Sequence, residues 1–421
     1  MVQLNPTAYV SQVDAYIVGS ARTAVGSFGG ALAKLSAVQL GSTALKGALA
    51  RSKVAADTVD EIYLGNVMSA NLGQNPARQV ALGAGCATTI IGTTVNKVCA
   101  SGMKAVALAA QSIRLGDAHV VAAVGTESMS NVPYYAPAMR FGAKFGAAAL
   151  VDGLECDGLR DAYAQTAMGY AAEATAAEFN VTREQQDEFA VASYQKAIDA
   201  AAKGRFSDEI VNVEVPQGRG RPALVVNADE EPAKFNADKL RKLRAAFPAA
   251  DGSGSVTAGN ASSLSDGAAA LILVSGARLQ ELIDAGSIDA THGIFRVAAA
   301  ADAEQSPERF TTSPAPAIKK ALSRATLGAS DNANVRDFVE YVELNEAFSV
   351  VGIANTQLLE FPEDRVNFNG GAVGIGHPLG CSGARIIVSL CSVLAQNDAR
   401  RGAAGVCNGG GGASAVIIER I

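Results

Sequence analysis

A faint internal duplication is the sequence feature that most constrains how this 421-residue chain can fold. The segment from Val95 and the segment from Val366 both place Val-Asn ahead of a turn that carries Cys and Ser-Gly. A basic residue and an apolar stretch of helical length follow, and the turns read CASGMK from Cys99 and CSGAR from Cys381. Because a repeated supersecondary unit indicates a repeated fold, the pattern predicts two similar halves.

Short β-branched runs alternate with apolar helical stretches, which predicts an α/β fold. In the duplicated segments we expect helices that end near Leu115 and Leu394, followed by buried strands. The predicted strands cover residues 15–18, 62–64, 93–95, 120–124 and 403–406, and a further helix covers 40–49. A chain of this length exceeds what one hydrophobic core normally supports, so two or three packed units are expected.

A more polar region separates the two halves, and we interpret it as an inserted unit. It contains a loop rich in Pro, Gly and Tyr and then two helices, the second opened by a capping box from Thr182 to Gln185. The predicted division is a first half at 14–131 to which 251–285 return, a loop domain at 132–250, and a second half at 286–421.

Composition and charge exclude several classes of function. A formal net charge of −6 gives no general attraction to nucleic acid or to an anionic membrane, and no 18-residue apolar run is present to span one. The six cysteines form no CxxC pair, which favours a reducing compartment. Residues 1–20 contain no Arg or Lys, so we expect a cytosolic protein, with a mitochondrial one as the alternative if a transit peptide has been removed.

Three glycine-rich segments carry a Cys or a His at predicted strand ends, where backbone can approach a ligand closely. They contain Cys99, His377 and Cys407, and a fourth segment, NEAF, places Asn345 at a strand end. We expect Cys99 in the first turn of the following helix, where free N–H groups favour the thiolate. The competing interpretation is that Cys99 is simply a small buried apolar residue, as free cysteines commonly are.

The other histidines and two apparent motifs carry no chemistry in our interpretation. His119 and His292 have no chemical neighbours in sequence, so we read them as surface or structural residues. The run from Gly374 to Gly380 has the spacing GxGxxxG, which is not a dinucleotide fingerprint. The scattered histidines and unpaired cysteines also offer no set of three or four convergent metal ligands.

Taken together, the segments VCASGMK, NEAF, GGAVGIGHPLGCSGAR and CNGGGG resemble the thiolase family in this order. The resemblance extends from about Ala21 to the C-terminus. It is greatest to the acetoacetyl-CoA thiolases (acetyl-CoA C-acetyltransferases) through CNGGGGAS, TESMSNVPY and TAGNAS. It implies a duplicated βαβ core in five layers, αβαβα, with an inserted loop domain. The implied reaction is reversible Claisen condensation of two acetyl-CoA molecules to acetoacetyl-CoA and CoA through an acetyl-cysteine.

The resemblance also implies roles for the residues in these segments. Cys99 matches the acylated nucleophile, His377 the base that activates it, and Cys407 the acid and base that moves the substrate α-proton. Asn345, through a bound water, and His377 match one oxyanion hole. The backbone N–H groups of Cys99 and Gly409 match the second, where loss of one donor commonly costs about 100-fold or more in rate.

Ligand positions are implied in the same way, with coenzyme A as substrate and product and no required cofactor. Ser262 matches a residue near the pantetheine and Lys239 one near the nucleotide. Some animal mitochondrial relatives hold a potassium ion, and the matching ligands here are Tyr194, Ala258, Gly259, Ala261 and Val373. One departure is Ala167, where many thiolases have a His before Met-Gly.

Several alternatives stay open at this point. A broad-range 3-ketoacyl-CoA thiolase of fatty-acid degradation would share the same motifs. A decarboxylating ketoacyl or hydroxymethylglutaryl-CoA synthase would share the fold and the nucleophile, but Cys407 in a CxGGG block argues against it. A catalytically dead binding subunit would not need all four catalytic candidates. Close relatives are usually tetramers, so we expect a homotetramer, with a homodimer as the alternative.

Overall fold

A computed structural model describes residues 11–218, 220–288, 293–326 and 334–421, so His292 lies outside the described residues. The strands β1 to β15, in chain order, are Ala15–Thr23, Gly26–Ser27, Glu61–Gly65, Ile91–Val95, Val120–Ser128, Tyr134–Tyr135, Val151–Asp152, Ile210–Val211, Val213–Val215, Leu224–Val226, Ser265–Ser275, Phe295–Glu304, Tyr341–Leu344, Arg401–Asn408 and Gly412–Arg420. The helices α1 to α11 are Ala37–Ser52, Pro76–Gly83, Ser101–Leu115, Gly169–Glu178, Arg183–Ala202, Ala237–Leu240, Gly276–Asp284, Pro314–Ala325, Ser349–Leu359, Ala372–Ile375 and Leu379–Gln396.

The strand order shows the duplication directly. In the first half the order is β1-β11-β5-β3-β4, and in the second it is β12-β15-β14-β13. The two orders correspond strand by strand, and the parallel bridge between Val342 and Val366 stands where β3 pairs with β4 in the first half. Two residue pairs between β1 and β12 join the halves at their inner edges.

Five layers follow from how the helices pack on these strands. α1 covers the outer face of β1 and β11, α8 covers the outer face of β12 and β15, and α3 and α11 pack together between the two halves. Strand β11 shows why, since Ala270, Ile272 and Val274 face the outer core while Leu271 and Leu273 face the central one. Buried on both faces, such a strand reads as a continuous apolar run rather than an alternating one.

The central helix α11 is buried along nearly its whole length. It is also the one helix in the described ranges that is long and apolar enough to cross a membrane, but 89% of it is buried inside the protein. Ile386, Ile387 and Leu390 are fully buried in the central core, where each such side chain contributes about 1.5–3 kcal/mol of transfer free energy. Its apolar character is therefore explained by packing between the halves.

Residues 132–250, interpreted above as an inserted loop domain, contain α4, α5, α6 and several short strands. The capping box predicted at Thr182 is present, with reciprocal bonds between Thr182 and Gln185. β8 pairs with β1, and α5 packs against α9 and α10 of the second half. These contacts hold the region over the part of the fold that carries His377 and Asn345.

Candidate active site

Cys99 lies in a tight turn between β4 and α3. The first helical residue is Ser101, so the expectation that Cys99 would occupy the first helical turn was wrong by two residues. The turn holds Val98 at φ +47°, a left-handed conformation that is strained for a β-branched residue. The Ser101 hydroxyl accepts the N–H of Lys97 at 2.8 Å and donates to the Val98 carbonyl at 2.6 Å, which fixes this conformation. Strain of this kind is concentrated at functional sites.

The backbone N–H groups of Cys99 and Gly409 face the sulfur of Cys99 and lower its pKa, but burial raises the pKa more, to about 12. The expectation of a resting thiolate therefore fails, because desolvation of the sulfur outweighs the N–H groups that face it. To act as a nucleophile, Cys99 must therefore transfer its proton to a base.

His377 is buried between α10 and α11, and its ring is held from two sides. Nδ1 lies 2.6 Å from the Ser382 hydroxyl, and the Asn345 amide nitrogen lies 3.4 Å from Nε2. Burial, together with the charge of Arg385, lowers the pKa of His377 to about 3. The preceding Gly376 has φ +117° and a Cβ there would lie 2.4 Å from the Ser265 hydroxyl, so glycine is required. The ring is therefore a neutral imidazole, the form that can accept a proton.

Asn345 follows directly after β13 and is fully buried. Its backbone N–H donates to the Gly405 carbonyl at 3.0 Å, which extends the pairing of β13 with β14. Among the described residues no protein atom bonds Oδ1 of Asn345, although that oxygen is buried. A buried polar atom of this kind is normally satisfied by water or by a ligand.

Cys407 ends strand β14 and is fully buried. Burial raises the pKa of its thiol, and the charge of an ionised Cys99 raises it further. The two sulfurs are thus close enough to oppose each other's ionisation. Cys407 also packs with Phe348 and Met168 in one apolar cluster.

A glycine turn, Gly409 to Gly411, connects β14 to β15. Gly411 has φ +96°, and a Cβ there would lie 2.2 Å from the Gln305 carbonyl. A Cβ on Gly409 would lie 3.2 Å from Cε of Met168. The glycine run therefore lets the backbone of this turn lie close to its neighbours, and this brings the Gly409 N–H near Cys99.

The residues expected near coenzyme A lie at different distances from this cluster. Both the hydroxyl and the N–H of Ser262 donate to the Ala347 carbonyl, and the carbonyl of Ser263 accepts the His377 N–H. The Ser262 segment therefore contacts both the turn after Asn345 and the backbone of His377. Lys239 is exposed on α6, where its ammonium is free to face solvent. Ala167 is exposed, and it is the next residue, Met168, that reaches Gly409.

The residues expected to hold potassium are partly brought together. Tyr194, Val373 and Leu240 share one buried cluster, and Gly259 packs against Leu240. Tyr194 stacks on Phe235 with ring centroids 4.8 Å apart. Burial raises the pKa of Tyr194 to about 12, so its hydroxyl is a neutral oxygen, the type of ligand that suits a monovalent cation beside carbonyls.

Two functional candidates were missed at the sequence level. Ser382 lies inside the CSGAR motif, and its five-residue spacing from His377 was the available signal. Glu127 ends β5 and is fully buried, and its carboxylate accepts from the side chain of Asn66 and from the N–H groups of Val67, Met68 and Gly380. Its pKa is raised by burial to about 7. An acid at the end of an apolar strand was the signal there.

Comparison with known proteins identifies the family and the fold. The Thiolase, N-terminal domain family matches residues 15–277 and the Thiolase, C-terminal domain family matches 292–420. The chain is 55% identical to an acetyl-CoA acetyltransferase of Schizosaccharomyces pombe over 97% of this chain and 99% of that one. It is 52% identical to the cytosolic acetyl-CoA acetyltransferase ERG10 of Gibberella zeae over 96% of this chain and 98% of that one.

A solved structure gives the same result. The Acat5 thiolase from Ascaris suum in complex with coenzyme A has a TM-score of 0.87 and 41% identity, and the match covers 97% of this chain and 100% of that chain. Fold and site thus define an enzyme of the acyltransferase class. The chain belongs to the thiolase family. This confirms both the resemblance and the predicted fold class.

Proposed function

We propose that the protein is an acetyl-CoA C-acetyltransferase, which condenses two acetyl-CoA molecules reversibly to acetoacetyl-CoA and CoA. The observation that carries the proposal is the pair of cysteines, because Cys99 lies close enough to Cys407 to raise its pKa and the Gly409 N–H faces the Cys99 sulfur. The Asn345 amide nitrogen, 3.4 Å from Nε2 of His377, supports the proposal. The names of the most similar relatives, which are acetyl-CoA acetyltransferases, support the short substrate.

The first half-reaction forms the acetyl-enzyme. Nε2 of His377 takes the Cys99 proton while the sulfur attacks the thioester carbonyl, because the buried thiol does not ionise by itself. The N–H groups of Cys99 and Gly409 donate hydrogen bonds to the developing oxyanion. When the intermediate collapses, the C–S bond to CoA breaks and Cys407 gives its proton to the departing CoA thiolate.

The second half-reaction makes the carbon–carbon bond. The Cys407 thiolate removes a methyl proton from the second acetyl-CoA, and His377, now protonated, and a water on Asn345 hold the enolate oxygen. The enolate carbon attacks acetyl-Cys99, and the released Cys99 thiolate takes the proton back from His377, so all protons balance. Acetyl-Cys99 cannot ionise, so no charge on Cys99 opposes ionisation of Cys407 in this half-reaction.

Coenzyme A binding is part of the same proposal. Ser262 would meet the pantetheine because its segment contacts both the Asn345 turn and His377. Lys239 would meet the anionic nucleotide from the exposed surface of α6. A potassium ion would stabilise the Ser262 segment without taking part in the reaction. Its ligands would be the Tyr194 hydroxyl and the carbonyls of Ala258, Gly259, Ala261 and Val373. Replacing KCl by NaCl in a thermal melt tests the ion, because a bound ion raises the melting temperature.

A homotetramer in the cytosol is also part of the proposal. Strand β4 is an unpaired sheet edge on which Ile91 is 63% exposed. The β6–β7 hairpin presents a second apolar surface with Met139, Phe141 and Phe145 exposed. Two separate surfaces of this kind suit two kinds of contact between copies. Native mass spectrometry distinguishes the tetramer from the alternative dimer, and the cytosolic name of the Gibberella relative supports the location.

Peptide mass spectrometry after incubation with acetyl-CoA tests the function. We expect one acetyl group, as a thioester on Cys99, because the backbone N–H groups of Cys99 and Gly409 face that sulfur and can donate to the oxyanion. Acetyl on Cys407 with Cys99 unmodified would reverse the roles. No acetylation of the wild-type enzyme would refute the function.

A further inference from the structure

We infer that Lys97 and Asn408 are positioning residues for acyl transfer, because together they hold Gly409 where its N–H meets the Cys99 sulfur. The inference rests on the proposed function, since it assigns the Gly409 N–H to the oxyanion of the Cys99 half-reaction. It adds to that function two side chains that touch neither the substrate nor the reacting atoms.

The contacts form a closed ring between the two cysteine loops. Nζ of Lys97 donates to Oδ1 of Asn408 at 2.8 Å. Nδ2 of Asn408 donates to the Gly409 carbonyl at 2.8 Å, and the Gly409 N–H lies close enough to the sulfur of Cys99, two residues after Lys97, to lower its pKa. A side chain in the first half thus fixes the backbone of the loop in the second.

Charge determines which way the Asn408 amide points. A lysine ammonium only donates hydrogen bonds, so it requires the oxygen of Asn408 and leaves the NH₂ group for the Gly409 carbonyl. Without Lys97 the amide could turn over, and the Gly409 carbonyl would then lose its donor. Glycine has the widest backbone freedom of any residue, so an unanchored Gly409 would not keep its N–H aimed at the sulfur.

The surroundings are built around this ring. Lys97 is only 19% exposed and also lies 3.2 Å from Glu304 and 3.8 Å from Asp302. A Cβ on Gly412 would lie 2.5 Å from both Nδ2 of Asn408 and a carboxylate oxygen of Glu304. A side chain at this position would have to displace the Asn408 amide or the Glu304 carboxylate, so glycine leaves room for both.

Lys104 offers a matched control. It bonds Asp302 at 2.7 Å and so has the same charge and one of the same partners as Lys97, but no bond joins it to Asn408. Lys97→Met and Lys104→Met each remove one ammonium from the same acidic surroundings. Only the first should affect Gly409.

Single-turnover acetylation of Cys99, followed by rapid quench and peptide mass spectrometry, tests the inference. We expect Lys97→Met and Asn408→Ser each to slow acetylation about 10-fold or more at saturating acetyl-CoA, with little change in KM, since a displaced oxyanion donor weakens only the transition state. The double variant should be slowed no more than the slower single variant, because both changes break one ring. Lys97→Arg should recover most of the rate, and Lys104→Met should match wild type.

Other results would overturn the inference. A Lys97→Met enzyme that acetylates at the wild-type rate, or one that loses thermal stability with an unchanged rate, makes Lys97 a structural residue only. An equal loss in Lys104→Met would assign the effect to general charge. If Lys97→Met does not fold, Asn408→Ser alone decides in the same assay. A wild-type enzyme that fails to acetylate at all would instead refute the proposed function.

Discussion

The Ser382 hydroxyl lies 2.6 Å from Nδ1 of His377 and 3.1 Å from the Pro378 carbonyl. A hydroxyl has one proton, and a carbonyl can only accept, so Ser382 donates to Pro378 and accepts from Nδ1–H. This arrangement places the histidine proton on Nδ1 and leaves the lone pair on Nε2. Ser382 therefore selects the tautomer in which Nε2 of His377 can accept a proton.

Ser382→Ala should lower kcat about 10-fold to 100-fold while the fold is kept, because a partner that orients a catalytic ring typically contributes that much. KM for acetyl-CoA should change little. Ser389→Ala is the control, since Ser389 lies on the same helix and bonds Glu209 at 3.2 Å, away from His377. Steady-state rates of both variants check the prediction, and equal losses would mean that the helix rather than the tautomer matters.

Cys407→Ala should separate the two half-reactions. Acetylation of Cys99 should stay largely intact, because the CoA thiolate is a good leaving group and can take its proton from solvent. Exchange of the acetyl-CoA methyl protons with deuterium should fall to background, because the variant has no base at the α-carbon. Mass spectrometry and NMR measure the two steps, and parallel loss of both would show that Cys407 is structural.

The pKa of His377 predicts an acid-sensitive fold. A histidine ordinarily titrates near 6.5, but burial and Arg385 lower the pKa of His377 to about 3. As the pH falls below 6.5, this histidine binds a proton in the unfolded chain but stays neutral in the folded protein. The free energy of unfolding therefore decreases between pH 6.5 and 3, by up to about 1.4 kcal/mol per pH unit. This loss is absent above pH 6.5.

His377→Gln should therefore lose less stability than wild type between pH 6.5 and 4.5, although it is inactive. Denaturant unfolding at several pH values measures the difference. His119→Gln, which removes an exposed imidazole, should follow the wild-type curve. Parallel curves for wild type and His377→Gln would show that His377 is charged in the folded protein.

The duplication allowed most of the fold to be predicted. The segments aligned at Val95 and Val366 lie at corresponding sheet positions, and α3 ends at Leu115 as expected. The expectation for Cys99 failed in two ways, in its place in the helix and in its ionisation. Both depend on long-range facts, the strained turn at Val98 and the burial of the sulfur by the second half, which local propensity does not contain.

Contacts between distant segments explain what the sequence could not reveal at the site. The four catalytic candidates could be named because each lies in a recognisable motif. The Lys97–Asn408 bond joins residues 311 positions apart, and Glu127 bonds Gly380 across 253 positions. Neither link has a periodic or local signal, so only the folded chain brings the partners together.

Met168 should limit the length of the acyl chain. It lies against Gly409, within the cluster that includes Cys407 and Phe348, and so borders the space beside Cys407. We therefore expect the wild-type enzyme to cleave acetoacetyl-CoA with the highest kcat/KM, 3-ketohexanoyl-CoA more slowly and 3-ketopalmitoyl-CoA barely at all. Comparable efficiency on the last substrate would indicate a broad-range degradative thiolase.

Truncation of the Met168 side chain tests whether this residue limits the length of the acyl chain. Met168→Ala should raise the ratio of kcat/KM for 3-ketohexanoyl-CoA over acetoacetyl-CoA by about 10-fold, because one methylene in an apolar pocket is worth about 1–3 kcal/mol. Met139→Ala, a truncation of the same side chain at an exposed position, should leave the ratio unchanged. Thiolysis rates with the two substrates measure it. If Met168→Ala lowers both rates equally, Met168 supports Gly409 without facing the acyl chain, and the limit on chain length lies with Phe348 or Phe247 in the same cluster.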